Sequence, residues 1–118
     1  MATPGYFNGI APGFYVTDLS RATQFYEQKL GFTKTYGNEG YAVLKRDDVS
    51  IHLSRDASGK AGKGFATVYV ADVAGIHAAC ADSGVVITRP LEASEYGMND
   101  FVIADVDGNT LLIGEPAE

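Results

Sequence analysis

His52 stands in the segment Ser50-Ile51-His52-Leu53-Ser54, where polar and apolar residues alternate. In a strand that alternation sends Ile51 and Leu53 to one face and Ser50, His52 and Ser54 to the other. An imidazole among hydroxyls can hydrogen-bond a ligand or move a proton. Tyr15, Tyr41 and Tyr69 add aromatic planes ending in a hydroxyl, suited to stacking on a flat ligand and bonding its polar edge. Phe65 shares strand parity with Thr67 and Tyr69, so these three are expected to face one way. Met98 and Phe101 follow a long loop and are read as residues that close a pocket. Together these seven form a candidate ligand-binding set. No residue is assigned to catalysis.

Other reactive groups read as structural. Cys80 follows Ile76 by four and fits a buried apolar filler. His77 lies beside that stripe as a surface or boundary residue. Asp18 and Asp72 precede helical stretches and fit caps. Glu92, Glu95 and Asp100 make residues 89–100 an acidic, solvated loop.

The elements that position these groups come in two similar runs. Val16-Thr17-Asp18-Leu19 opens a helical stretch closing at Gly31, and Val70-Ala71-Asp72-Val73 opens another closing at Gly84. The openings lie 54 residues apart and the closing glycines 53 apart, as two copies of one supersecondary unit would. In the first, Leu19, Ala22, Phe25, Tyr26 and Leu30 recur at helical spacing. Strands are expected at 10–16, 32–36, 41–45 and 49–54 in the first unit, and at 65–70, 85–88, 98–104 and 110–114 in the second. Both read β-α-β-β-β. The fold class is therefore α+β, with paired open mixed sheets around a cleft and helices on the outer faces. One domain over 1–118 is expected, with modules at about 8–54 and 65–114 and a flexible connector at 55–64.

Composition narrows the function. A formal net charge of −6 argues against sequence-independent nucleic-acid binding; it reads first as solubility, with long-range attraction of a cationic ligand as the second reading. No apolar run reaches the roughly 18 residues of a membrane helix. Met1-Ala2-Thr3-Pro4-Gly5 lacks the basic and apolar regions of a signal peptide. The single cysteine allows no internal disulfide and fits a reducing cytoplasm.

Val16-Thr-Asp-Leu19, Phe25-Tyr26-Glu27, Leu30-Gly31-Phe32 and Asp105-Val-Asp-Gly-Asn109 with Leu111-Leu112 resemble the vicinal-oxygen-chelate superfamily over roughly residues 8–114. That group includes glyoxalases, extradiol dioxygenases, fosfomycin-modifying enzymes and bleomycin-resistance proteins. The resemblance implies paired βαβββ modules, completed in a homodimer, and in the enzymes a divalent metal held by four His or Glu side chains. Register against the motifs puts those four positions at Ala11, His52, Phe65 (Ala66 in a shifted register) and Leu112. Three hydrocarbon side chains cannot donate lone pairs, so no metal and no cofactor is expected. Leu112 joins the ligand-binding set instead. Phe25–Phe32 and Tyr41–Val49 are similar to the metal-free bleomycin-resistance branch. Glu95-Tyr96-Gly97 stands where that branch usually has Trp-Gly. The resemblance implies a binding protein that sequesters an aromatic or amphipathic ligand, such as a cationic antibiotic, in a dimer cleft. The alternatives are a metal-dependent glyoxalase- or dioxygenase-like enzyme, or metal-free acid–base catalysis at His52.

Overall fold

A computed structural model describes residues 3–117. Met1 and Ala2, which begin the stretch read for a signal peptide, lie outside the described residues. The first module runs β1 (Gly13–Val16), α1 (Leu19–Leu30), β2 (Thr33–Gly37), β3 (Tyr41–Arg46) and β4 (Val49–Arg55). The second runs β5 (Phe65–Tyr69), α2 (Val73–Asp82), β6 (Val86–Ala93), β7 (Met98–Ala104) and β8 (Thr110–Pro116). Each module makes a mixed four-stranded sheet, ordered β1-β4-β3-β2 and β5-β8-β7-β6. β1 and β5 pair parallel with β4 and β8, and the other ladders are antiparallel. The fold class is α+β, as the doubled β-α-β-β-β pattern requires.

Local signals explain the helix ends. Asp18 accepts from the Arg21 amide at 3.0 Å, satisfying one of the free N–H groups of α1. Gly31 ends α1 with φ +74°, a conformation only glycine adopts without cost. Asp72 caps α2 by accepting from the Gly75 amide.

Each sheet buries one face under its helix. Phe14, Val16, Ala42, Leu44, Ile51 and Leu53 alternate inwards from the first sheet to meet Leu19, Ala22, Tyr26 and Leu30 of α1. Ile103, Leu111 and Ile113 do the same beneath α2, where Val73 and Cys80 are buried. The opposite faces stay open. Phe65 is 62% and Tyr69 72% exposed, so nothing among the described residues covers the second sheet there. The principal extents of 50 × 41 × 25 Å agree, because the shortest allows about one sheet layer and one helix layer.

A hydrogen-bonded latch joins the modules. Asp105 Oδ1 accepts from the amides of Asp107, Gly108 and Asn109, which folds the β7–β8 turn. Its Oδ2 accepts from the Tyr26 hydroxyl of α1 at 2.9 Å and from Asn109 Nδ2 at 3.0 Å. Asn109 also donates to the Tyr15 carbonyl, and Thr17 donates to Asp107 through its amide and hydroxyl. Burial pushes the Tyr26 phenol well above its ordinary range, and the Asp105 carboxylate adds to that. At Gly62, which has φ +79°, a Cβ would lie 2.0 Å from the Asp107 carbonyl oxygen. The connector therefore needs glycine where it passes the latch.

Two expected boundaries are corrected. β1 begins at Gly13 rather than Ile10, since Pro12 has no amide to extend the ladder. β6 continues to Ala93 and β7 starts at Met98, so most of the loop expected at 89–100 is strand. Pro90 signalled a break, but β6 is an edge strand with register shifts at Arg89, where proline is tolerated.

Candidate functional site

On the open face of the first sheet, His52 lies on β4 between Gly13 of β1 and Val43 of β3. Tyr41 and Tyr15 both sit opposite Ser54, so the three strands present them in one row. The Tyr41 hydroxyl and His52 Nδ1 are hydrogen-bonded, with the rings edge-on at 5.6 Å between centroids. Tyr36 stands 6.4 Å from Tyr41 and is more than half exposed. Its place in this cluster was not anticipated. The signal lay in the hairpin, because Tyr36 pairs with Val43 across a bulge and so shares the His52 face. Lys60 of the connector lies 5.3 Å from the centre of the Tyr15 ring, within cation–π range.

The second sheet supplies a more apolar surface. Phe65 and Tyr69 lie on one face with Thr67, and Leu112 sits opposite Thr67 and Val102. Leu112 and Met98 are half-buried on this side. Asp100 is on the same face but is fully buried, held by Arg89 and Tyr96. It can sink there because Gly114 lies opposite: a Cβ on Gly114 would come within 2.8 Å of the Asp100 Cβ. The Tyr96 hydroxyl bond and then the Arg89 guanidinium hold the Asp100 carboxyl below the usual range. Asp100 therefore does not belong to a solvated acidic loop, as its neighbours had implied.

Phe101 is the other correction. It is fully buried and packs edge-on against His77, with centroids 4.9 Å apart. Met98 and Phe101 are three residues apart, and strand alternation puts such residues on opposite faces. Phe101 therefore belongs to the core beneath α2, not to the open face. His77 is correspondingly half-buried, with Nε2 shielded from water and unpartnered. Cys80 is buried, and desolvation pushes its thiol above its ordinary range, which makes it a poor nucleophile. A separate groove of about 390 Å³ lies between the β3–β4 hairpin and β5, lined by Leu30, Phe32, Val49, Val68 and Ile76. Of the expected ligand-binding residues it touches only Tyr69.

The donor set does not suit a divalent metal. The ladder neighbours of His52 are Gly13 and Val43, and its Nδ1 is engaged by Tyr41. Leu112 and Phe65 offer no lone pair. Among the described residues, no three His, Cys, Asp or Glu side chains converge as ligands. Among them, too, no helix is long and apolar enough to cross a membrane.

Paired βαβββ modules with open aromatic faces define a class that a family model also recognises. The model described as the Glyoxalase/Bleomycin resistance protein/Dioxygenase superfamily matches residues 7–113, and the chain belongs to that superfamily. Its name spans enzymes and resistance proteins alike. A bleomycin resistance protein from Geobacillus stearothermophilus is 43% identical over 42 residues, which are 36% of this chain. The matched segment spans about a third, 32%, of that relative's length. The bleomycin-binding protein from Streptomyces verticillus, solved with copper(II)-bleomycin, superposes with a TM-score of 0.80 at 24% identity. That match covers 98% of this chain and 99% of the other. An antibiotic-binding protein from Streptomyces sp. CB03234 superposes with a TM-score of 0.83 at 20% identity, over 98% of this chain and all of its own. At these identities the likeness is one of fold.

Proposed function

We propose that this chain is a small-molecule binding protein that sequesters an aromatic or amphipathic ligand without a metal and without changing it. The observation that carries this reading is the makeup of the open faces. Of the four positions that the register sets against the metal ligands of the superfamily's enzymes, only His52 carries a donor, while Phe65 presents an exposed ring and Leu112 half-buried hydrocarbon. Such a surface gives contact area and a few orienting hydrogen bonds, which is what binding needs. It offers no activated nucleophile. The bleomycin-resistance and antibiotic-binding relatives make a toxic antibiotic the first ligand class to test. Protection would come from mass action, since bound drug is withheld from its target.

The reading includes a homodimer. A ligand on either open sheet would be covered on one side only, and a second copy would supply the missing wall. Tyr6, Phe7 and Ile10 are 85%, 98% and 99% exposed, and this apolar surface favours a partner. Association at micromolar concentration is expected in sedimentation velocity, and a monomer there would refute it.

Calorimetry and thermal unfolding with bleomycin and a panel of aromatic antibiotics test the main claim. A ligand at about 100 times its Kd should add about 2.7 kcal/mol of stability and raise Tm by several degrees. The ligand should be recovered unaltered by mass spectrometry. Turnover of the ligand, or a stoichiometric chelator-sensitive metal in untagged protein, would overturn the reading.

A further inference from the structure

We propose that the ligand is a planar aromatic molecule bearing hydrogen-bond acceptors, neutral or anionic rather than cationic, and that His52 donates to it from Nε2. The proposal rests on the binding reading above and specifies its ligand class.

The first argument is local charge. The chain carries a net charge of −6, which taken alone would draw a cation. The acidic residues are not where a ligand would sit. On the open face of the first sheet the strands present hydroxyls, aromatic rings, Val43, His52 and Lys45, the last paired with Ser50 and Thr33. No strand position on that face holds Asp or Glu. Lys60 adds a second cation at the Tyr15 end. Asp56 of the same connector is turned back on its own loop, accepting from Ser58 and the Lys60 amide. On the second sheet both carboxylates of the open face are already engaged. Arg89 binds Asp100 at 2.5 Å and Glu92 at 3.1 Å. A cationic ligand would find no free carboxylate on either face, whereas a carbonyl, phenolate or carboxylate would meet donors.

The second argument concerns which donor. Tyr41 is the hydrogen-bond partner of His52 Nδ1. A phenol is a far stronger acid than a neutral imidazole N–H, and an imidazole nitrogen is a far stronger base than a phenol oxygen. The Tyr41 hydroxyl therefore donates and Nδ1 accepts, which leaves the ring proton on Nε2. Tyr41 is thus a positioning residue: it fixes the tautomer and holds the ring edge-on. Tyr36, beside Tyr41, and Tyr15, opposite Ser54, add ring surfaces to the same open face.

Titration of the full chain with two planar dyes tests this. Alizarin carries quinone carbonyls, and ethidium carries a fixed positive charge. Alizarin should bind at least tenfold more tightly than ethidium. His52→Ala should weaken alizarin about tenfold and leave ethidium unchanged, while His52→Gln, which retains a donor, should recover part of the loss. In ¹⁵N spectra of the imidazole, Nε2 should be protonated and Nδ1 bare, and Tyr41→Phe should convert this to a mixture of tautomers. Ethidium binding as tightly as alizarin, or an unchanged tautomer in Tyr41→Phe, would overturn the inference and leave sequestration standing. Failure of the wild-type chain to bind alizarin would also overturn the inference, while the antibiotic panel decides sequestration separately.

Discussion

His52 and Leu112 occupy equivalent places in the two modules, each on the open face of the strand that pairs with both its neighbours. Around His52 the first sheet is hydroxyl-rich and aromatic, with Tyr41 on the imidazole and Tyr36 beside Tyr41. Around Leu112 the open face of the second sheet is apolar, and Arg89, Asp100 and Glu92 on that face lock one another. One strand plan therefore carries two different surfaces. The difference lies in side chains that point away from the core and so contribute little to the fold. What the modules share is the face beneath the helices and the latch that joins them.

The latch offers the largest test of that division. Asp105→Ala should destabilise the chain by at least about 3 kcal/mol, because the Tyr26 hydroxyl, Asn109 and the turn amides lose a buried acceptor together. Tyr26→Phe should cost less, about 1 kcal/mol, since Asp105 keeps its backbone donors and Asn109. Urea melts of both variants measure the gap. Equal losses would mean that the Tyr26 bond, and not the turn, holds the modules together.

The ion pair on the second sheet comes next. Arg89→Ala leaves Asp100 buried with Tyr96 as its remaining side-chain partner, at a cost of about 1–3 kcal/mol at neutral pH. The sign of the pH dependence follows from the depressed carboxyl of Asp100. A group whose folded-state pKa is lowered stabilises fully above its unfolded value, and that stability is lost as pH falls through the folded one. The wild-type chain should therefore keep this contribution to more acid pH than Arg89→Ala does. Chemical melts from neutral pH down through the carboxylate range would show it. Parallel curves for the two proteins would mean that Tyr96 alone sets the Asp100 environment.

How much of this was legible in the sequence follows the same division between core and open face. The helical stripe of α1, its aspartate cap and its glycine terminator were all readable, because period and capping chemistry are local. The hairpin of β3 and β4 was readable for the same reason, and His52 fell on the expected face. Phe101 was misread because its loop context outweighed strand parity. Asp100 was misread because its partner Arg89 and the space left by Gly114 come from other strands. Asp105 stood out only as part of the Asp105–Asn109 motif. Its bond to Tyr26 spans 79 residues, and no local pattern encodes a contact at that separation.

The smallest effects on stability belong to the open faces, and they decide whether one wall or two grip the ligand. Tyr36 and Tyr69 are 57% and 72% exposed, so Tyr36→Ala and Tyr69→Ala should each change stability by less than about 0.5 kcal/mol. Each should still weaken an aromatic ligand by about two- to tenfold, the range expected for one lost ring contact. Tyr36 belongs to the hydroxyl-rich sheet and Tyr69 to the apolar one. If a dimer brings the two surfaces to opposite sides of the ligand, both substitutions reduce affinity and their effects add, because the rings touch different faces of the guest. A loss confined to Tyr36→Ala would mean that the ligand rests on the first sheet alone and that the apolar surface serves only association.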